Sequence, residues 1–332
     1  MAGEEVLPNL LGGLDREKIP NIIFSRKGQT TQTPFEAIKR FDSYPLLDRS
    51  FLINDPFRTY KGTTSFLLSS RGCYGKCSFC SIKTLWKQKL DFRALEGIVD
   101  EIELLSEQDV NEFRFLDDLF IVSPKRSNQF YDLLSARGLL GNFSLYSNSR
   151  VDIVNRFSPK DLEKLRKMGF KKIGLGIESG SNEVLERAQK GITSEEAFEA
   201  VRKLKENGLN SHCYFMLGFP YETEGDMEKT MNLAYNLRKE FGTKGVVSPY
   251  KLYPGTKDFS DIIGNPSRQE VDRLSRFRTA RLAKANDASE TREMLVERER
   301  FTMLHDENYF TPYQIATPKL ERKIREFIIQ QQ

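Results

Sequence analysis

The sequence predicts an α/β protein, a partial parallel (β/α)6 barrel preceded by a strap and followed by a helical extension. Three observations predict it. From residue 65 onward, short apolar runs alternate with longer amphipathic segments, the texture of a parallel sheet crossed by helices. No segment of 20 to 50 residues recurs in the sequence, which excludes a solenoid and leaves a barrel or an open sheet. Three of the four cysteines crowd the loop after the first such run, where a parallel sheet gathers its ligands.

Residues 1–60 scatter Gly12, Gly13, Pro20, Gly28, Pro34, Pro45 and Pro56 between short apolar runs, and they read as an irregular strap without a core of its own. Residues 61–260 form the expected barrel. Its strands are predicted at 65–70, 112–118, 142–149, 171–179, 210–219 and 245–252, each bounded by turn residues. Helices are predicted near 95–105, 124–137, 159–168, 182–189, 194–207 and 224–240. Several open on Ser, Pro or Asn with acidic residues close behind, a good N-terminal signal. Beyond Pro254-Gly255 the pattern turns charged and helical, and residues 261–332 are expected to be a C-terminal helical extension.

With 39% hydrophobic and 30% charged residues, the chain has the composition of a folded protein and neither a disordered nor a fibrous one. Lys and Arg exceed Asp and Glu by 51 to 47, and no uninterrupted basic block occurs, which argues against a nucleic-acid partner. The opening MAGEEVLPNLLGGLDREKIP lacks the basic start and apolar core of a signal peptide, and no apolar run approaches the roughly 20 residues of a membrane helix. A cytoplasmic protein without membrane contact is expected.

The segment Arg71-Gly72-Cys73-Tyr74-Gly75-Lys76-Cys77-Ser78-Phe79-Cys80 spaces its thiols C-x3-C-x2-C. A disulfide framework would spread its cysteines along the chain, so the crowding points to metal. Structural zinc takes four ligands, whereas a [4Fe–4S] cluster takes one thiolate per iron, so three thiolates leave one iron open. The competing reading is a zinc-supported interaction module that recruits His212 or Cys213 as its fourth ligand.

The loop, with aromatic Phe79 just before its last cysteine, resembles that of the radical S-adenosylmethionine (radical SAM) superfamily. RGCYGKCSFCSI, FRFLDDLF, SNSRVD, IGLGIESG, KGIT, YFMLGFPYET and LYPGT together resemble, over about residues 60–260, the core of its cobalamin-dependent members. IPNIIFSRKGQ and FDSYPLLDRSF resemble the linker that joins a cobalamin-binding domain to that core, although no such domain is expected in this sequence.

The resemblance implies a [4Fe–4S] cluster on Cys73, Cys77 and Cys80, with SAM chelated to the open iron. It further implies reductive cleavage to methionine and a 5′-deoxyadenosyl radical, then hydrogen abstraction from a small-molecule substrate. Asp117 and Asp118 would take the methionyl ammonium, a charge-assisted contact; adjacent carboxylates at a strand end also read as a cap for the next helix. Ser149 and Arg150 would face the carboxylate, Glu178 the ribose and Lys190 the carboxylate again. Arg150 with Asp152 also reads as a local ion pair, and Lys190 as a helix-terminal cation.

Cys213, inside the fifth strand, has two readings: a small buried residue, or a catalytic hydrogen donor to a substrate radical if it faces the barrel interior. Trp86, close to the cluster loop, is a candidate shield against water. Epimerisation, dehydration, oxidation or rearrangement of a small molecule, as in natural-product tailoring, suits these residues, with a reducing partner such as flavodoxin or ferredoxin. Methyl transfer is the alternative, and RNA or peptide modification would use the basic tail at 319–325.

Overall fold

The structure is a computed structural model that describes residues 3–26, 28–34, 36, 41–43, 64–86 and 90–264. The expected C-terminal extension beyond residue 264, with His305 and the basic tail, lies outside the described residues. Six parallel strands form one sheet: β1 (Thr64–Leu67), β2 (Glu112–Phe115), β3 (Ser144–Arg150), β4 (Phe170–Glu178), β5 (Asn210–Leu217) and β6 (Lys244–Pro249). Among the described residues they pair strictly in chain order, with β1 and β6 at the two edges, which leaves a partial barrel open on one side.

Among the described residues, five helices of ten or more residues cover the outer face: α1 (Leu95–Ser106), α2 (Pro124–Ala136), α3 (Pro159–Met168), α4 (Ser194–Glu206) and α5 (Glu224–Phe241). Their starts follow from local chemistry. Ser158, Thr193 and Thr223 each close a capping box with an acidic residue three positions on, satisfying otherwise orphaned N–H groups at about 1 kcal/mol apiece. α3 and α5 stop at Gly169 and Gly242, both in the left-handed conformation that glycine adopts most cheaply.

The strands alternate sharply between faces. Leu67, Phe113, Phe115, Leu145, Ile173, Leu175, Ile177, Phe215 and Leu217 point outward under the helices and are buried. Arg114, Tyr146, Asn148, Gly174, Gly176, His212 and Tyr214 occupy the opposite parity, lining the concave side. One break in the alternation matters for the site: between Gly176 and Glu178 the β4–β5 register shifts, and Glu178 adopts φ +74. The irregularity re-aims Glu178 at the end of its strand.

The strap is more regular than expected. A helix spans Gly3–Leu11, and Ile23–Arg26 pairs with Gln29–Gln32 as an antiparallel hairpin. Both are built largely from exposed side chains, so composition alone carried little signal for them. Residues 41–43 dock on the barrel: Phe41 N–H donates to Asp91 at 2.5 Å, and Asp42 accepts from Ala94 N–H at 2.7 Å.

Candidate active site

The cysteine loop follows β1 and is fastened at both ends. At its start, Asp117 at the end of β2 is 1% exposed and accepts from Ser69 N–H, Ser69 Oγ (2.7 Å) and Ser70 Oγ (2.5 Å). Burial pushes its pKa up, and the serine hydrogen bonds oppose that shift. Asp118 accepts from Gly72 N–H at 3.1 Å, one residue before Cys73.

At its far end, Ser78 N–H donates to Ala188 O (2.9 Å), and Ser78 O accepts from Asp258 N–H (3.1 Å). Phe79 meets the edge of Phe219 at 5.7 Å. Thr84 Oγ1 donates to Gly255 O at 2.7 Å, tying the following turn to the Pro254-Gly255 bend.

Two cations converge on this loop. Arg150, at the end of β3, donates from Nε to Asp152 (2.7 Å), from Nη2 to Lys190 O (2.9 Å) and from Nη1 to Cys77 Sγ (3.8 Å). Its guanidinium also lies over the Tyr74 ring, 5.4 Å from the centroid, and Tyr74 Oη donates to the other oxygen of Asp152 at 3.2 Å. Burial works against the Arg150 charge, but Asp152 and the Cys77 sulfur outweigh it and hold its pKa up.

Lys190 stands between Gln189 and Gly191, both in left-handed backbone conformation, and its Nζ bonds Glu178 at 2.7 Å. This pair is nearly sealed, with side chains 7% and 12% exposed. Burial opposes the ammonium, while Glu178 and then Cys77 favour it, and the net pKa is raised.

Arg150 and Lys190 thus bring positive charge to the cysteines, which suits thiolates carrying an anionic cluster. Gly75 is part of the cradle: a Cβ there would come 2.5 Å from Arg150 Nη1 and 3.4 Å from Cys73 Sγ. All three thiols are free. Cys80 has its pKa pushed up to about 11, chiefly by burial and further by the other two sulfurs. Among the described residues, no trio of His, Cys, Asp or Glu is grouped to hold a single metal ion. Three separate thiols beside two cations fit a cluster that takes one thiolate per iron. Neither extra zinc ligand is available: His212 sits near the start of β5, at the opposite end of the sheet from the loop, and Cys213 is enclosed in the core.

The structure therefore brings together Cys73, Cys77, Cys80, Asp118, Arg150, Glu178 and Lys190, and it sets three predicted residues apart. Asp117 is consumed by Ser69 and Ser70. Ser149 is 5% exposed on the outward parity, where its hydroxyl donates to Ile121 O at 2.9 Å. Cys213, in register with Leu175, is fully buried among the apolar residues under the helices, and burial pushes its thiol up to about 12. The side chains of Asp117, Ser149 and Cys213 are thus engaged by the protein itself or enclosed, apart from the SAM- and substrate-facing roles expected of them.

Sequence reading missed Tyr74 and Glu222. Tyr74 lies inside the cysteine motif, yet its link to Asp152 spans 78 positions and leaves no local pattern. Glu222 accepts from Gly218 and Phe219 N–H, and burial pushes its pKa up to about 7. The GFPYE spacing could have signalled that turn. Trp86 lies beside Arg71, 5.5 Å from the guanidinium carbon to the ring centroid.

Fold and site define an α/β enzyme that carries a cysteine-rich cofactor loop at the C-terminal mouth of a partial barrel. The model of the Radical SAM superfamily matches residues 67–234, half of the chain, and the protein belongs to that superfamily. Its cofactors are a [4Fe–4S] cluster and S-adenosylmethionine.

The chain is 28% identical over 264 residues to an uncharacterized methyltransferase of Pyrococcus horikoshii, covering 79% of this chain and 56% of that protein. It is 31% identical over 198 residues to the anaerobic magnesium-protoporphyrin IX monomethyl ester cyclase of Cereibacter sphaeroides, covering 58% and 32%. Among solved structures, the radical SAM methyltransferase TsrM from Kitasatospora setae superposes with a TM-score of 0.62 at 19% identity, covering 78% of this chain and 51% of that one. The chain spans about half the length of the first of these relatives and a third of the second. Among the described residues, no helix is long and apolar enough to cross a membrane.

Proposed function

We propose that Cys73, Cys77 and Cys80 hold the [4Fe–4S] cluster and that the enzyme abstracts hydrogen from a small-molecule substrate. The observation that carries this reading is the convergence of Arg150, at the end of β3, and Lys190, in the turn after the helix Asn182–Arg187, on one loop bearing three free thiols. When bound and reduced, the cluster supplies the electron that cleaves SAM to methionine and a 5′-deoxyadenosyl radical.

The chain's own residues orient and shield. Arg150 fixes the loop through Cys77, Tyr74 and Asp152. Asp118 has one oxygen bonded to Gly72 N–H, and its carboxylate would accept from the methionyl ammonium. Glu178 and Lys190 neutralise each other in a nearly water-free setting, so displacing either partner leaves a costly buried charge. The pair would therefore stay intact, and its remaining oxygen and ammonium hydrogens would serve the ribose and carboxylate of bound SAM. A flavodoxin or ferredoxin is the proposed electron donor, and residues 61–260 are the proposed catalytic unit.

Methyl transfer is a second reading, supported by the names of the Pyrococcus horikoshii relative and of the cytidylyl-2-hydroxyethylphosphonate methyltransferase of Streptomyces wedmorensis, 24% identical over 227 residues. One experiment separates the two. The anaerobically reconstituted, reduced protein is given SAM, and its products are resolved. 5′-Deoxyadenosine alone supports hydrogen abstraction; S-adenosylhomocysteine, formed on adding cobalamin, favours methyl transfer. Neither product from a cluster-loaded chain would defeat both.

A further inference from the structure

We infer that the concave face of the sheet carries an anion subsite made by Lys172, His212 and Lys244, which seats a carboxylate, phosphate or phosphonate group of the substrate. The inference rests on the proposed function in that it takes the barrel interior as the substrate's place.

The subsite follows from register. Lys244 pairs with His212, and His212 pairs with Gly174, two residues beyond Lys172 on β4. Side chains two apart on a strand share a face, so the three leave the same side of three neighbouring strands. That side is open. Tyr214 on the concave parity is 40% exposed, while Ser211, Cys213 and Phe215 on the other parity are 7%, 0% and 1% exposed.

Among the described residues, the charge there is uncompensated. Burial, then Lys172 and Lys244, hold the His212 pKa below its usual value, and no carboxylate contributes to the shift. The acids on this face are engaged elsewhere: Glu112 with Arg114 and Glu178 with Lys190. Among the described residues, neither lysine has an ion-pair partner. Two like charges flanking a half-buried imidazole repel each other, and an anion bound between them converts that repulsion into charge-assisted hydrogen bonds.

The path from this subsite to the cysteine end is lined for a ligand. Tyr214 lies 5.1 Å from the His212 ring, centroid to centroid. A Cβ on Gly174 would fall 2.2 Å from Asn148 Oδ1 and 2.9 Å from Tyr214 Cε2, so the glycine lets an amide and an aromatic ring close together across β4. From Gly174, level with His212, to Glu178 is four residues, about 13 Å along the strand. The substrate class is therefore an anion whose charged group lies on the order of 10 Å from the reacting carbon, with an apolar or aromatic stretch between.

The test is a titration of the cluster-loaded full chain with inorganic phosphate and with phenyl phosphate, following the imidazole resonances by NMR. The sequence has two histidines, so His212→Gln assigns the signal. Saturable movement of the His212 resonance, tighter for phenyl phosphate and weakened at least fivefold in both Lys244→Met and Lys172→Met/Lys244→Met, supports the subsite. Movement no greater than that caused by chloride at equal ionic strength, or movement retained in the double variant, overturns it. SAM cleavage measured on the same parent preparation tests the proposed function separately, so either reading can fail while the other stands.

Discussion

The two faces of the sheet are made from the same six strands and differ in almost everything else. On the outward parity, Ile173, Leu175, Cys213 and Phe215 share one buried apolar core with residues of α3, α4 and α5. On the inward parity and at the strand ends, Arg150, Glu178, His212 and Tyr214 carry charge, rings and open space. Shifting a residue by one position moves it from one environment to the other. Parity, more than residue type, decides which side chains do chemistry.

The sharpest way to break this contrast is at the cysteine loop. Cys77→Ala removes the sulfur nearest Arg150 and should abolish both iron retention and 5′-deoxyadenosine formation, measured by iron and sulfide content and by product chromatography. A variant that keeps full iron and turnover would mean that the cluster sits elsewhere.

A smaller effect is expected one contact away. Arg150→Met keeps the bulk of the side chain but loses the hydrogen bonds to Cys77, Asp152 and Lys190 O. Loss of a charged hydrogen bond of about 2 kcal/mol corresponds to roughly a thirtyfold slower SAM cleavage. The electron paramagnetic resonance signal of the reduced cluster should shift as well, which a purely structural role for Arg150 would not produce.

Glu222 offers a pH-dependent comparison. Burial raises its pKa to about 7 from the ordinary carboxylate value of 4.5, so between these values the folded state holds a proton that the unfolded chain has released. By linkage the folded state is favoured below the window and loses stability as pH rises through it, by up to about 3 kcal/mol. The melting temperature should therefore fall from pH 5 to pH 8, and Glu222→Gln should flatten the profile. A parent profile as flat as that of the variant would show that Glu222 is ionised throughout.

Most of the barrel was legible because its signals are local. The six strands and the capped helices announce themselves through apolar runs, Ser or Thr caps and closing glycines. The C-x3-C-x2-C loop carries its chemistry in its spacing. The rest depends on contacts far apart in sequence. Nothing near Asp117 indicates that Ser69 and Ser70, 48 and 47 positions earlier, would claim its carboxylate. The partner of Tyr74 is equally remote. The faces of Ser149 and Cys213 could not be read without register, and both fall on the outward parity, where polarity means a small buried group and not a ligand. The strap's hairpin was missed because its strands expose nearly every side chain and so show no alternation.

Cys213 is the cleanest remaining test of parity, with the smallest expected effect. It is the one cysteine outside the loop and, by type alone, the obvious hydrogen donor to a radical. In the structure its sulfur packs under the helices, away from Tyr214 and the open trough. Cys213→Ala removes a buried sulfur and should cost about 1 kcal/mol of stability, read as a lower melting temperature. SAM cleavage and product formation should match the parent at a temperature where both are folded. If cleavage continues while product formation stops, the thiol reaches the substrate after all, and the assignment of faces along β5 is wrong.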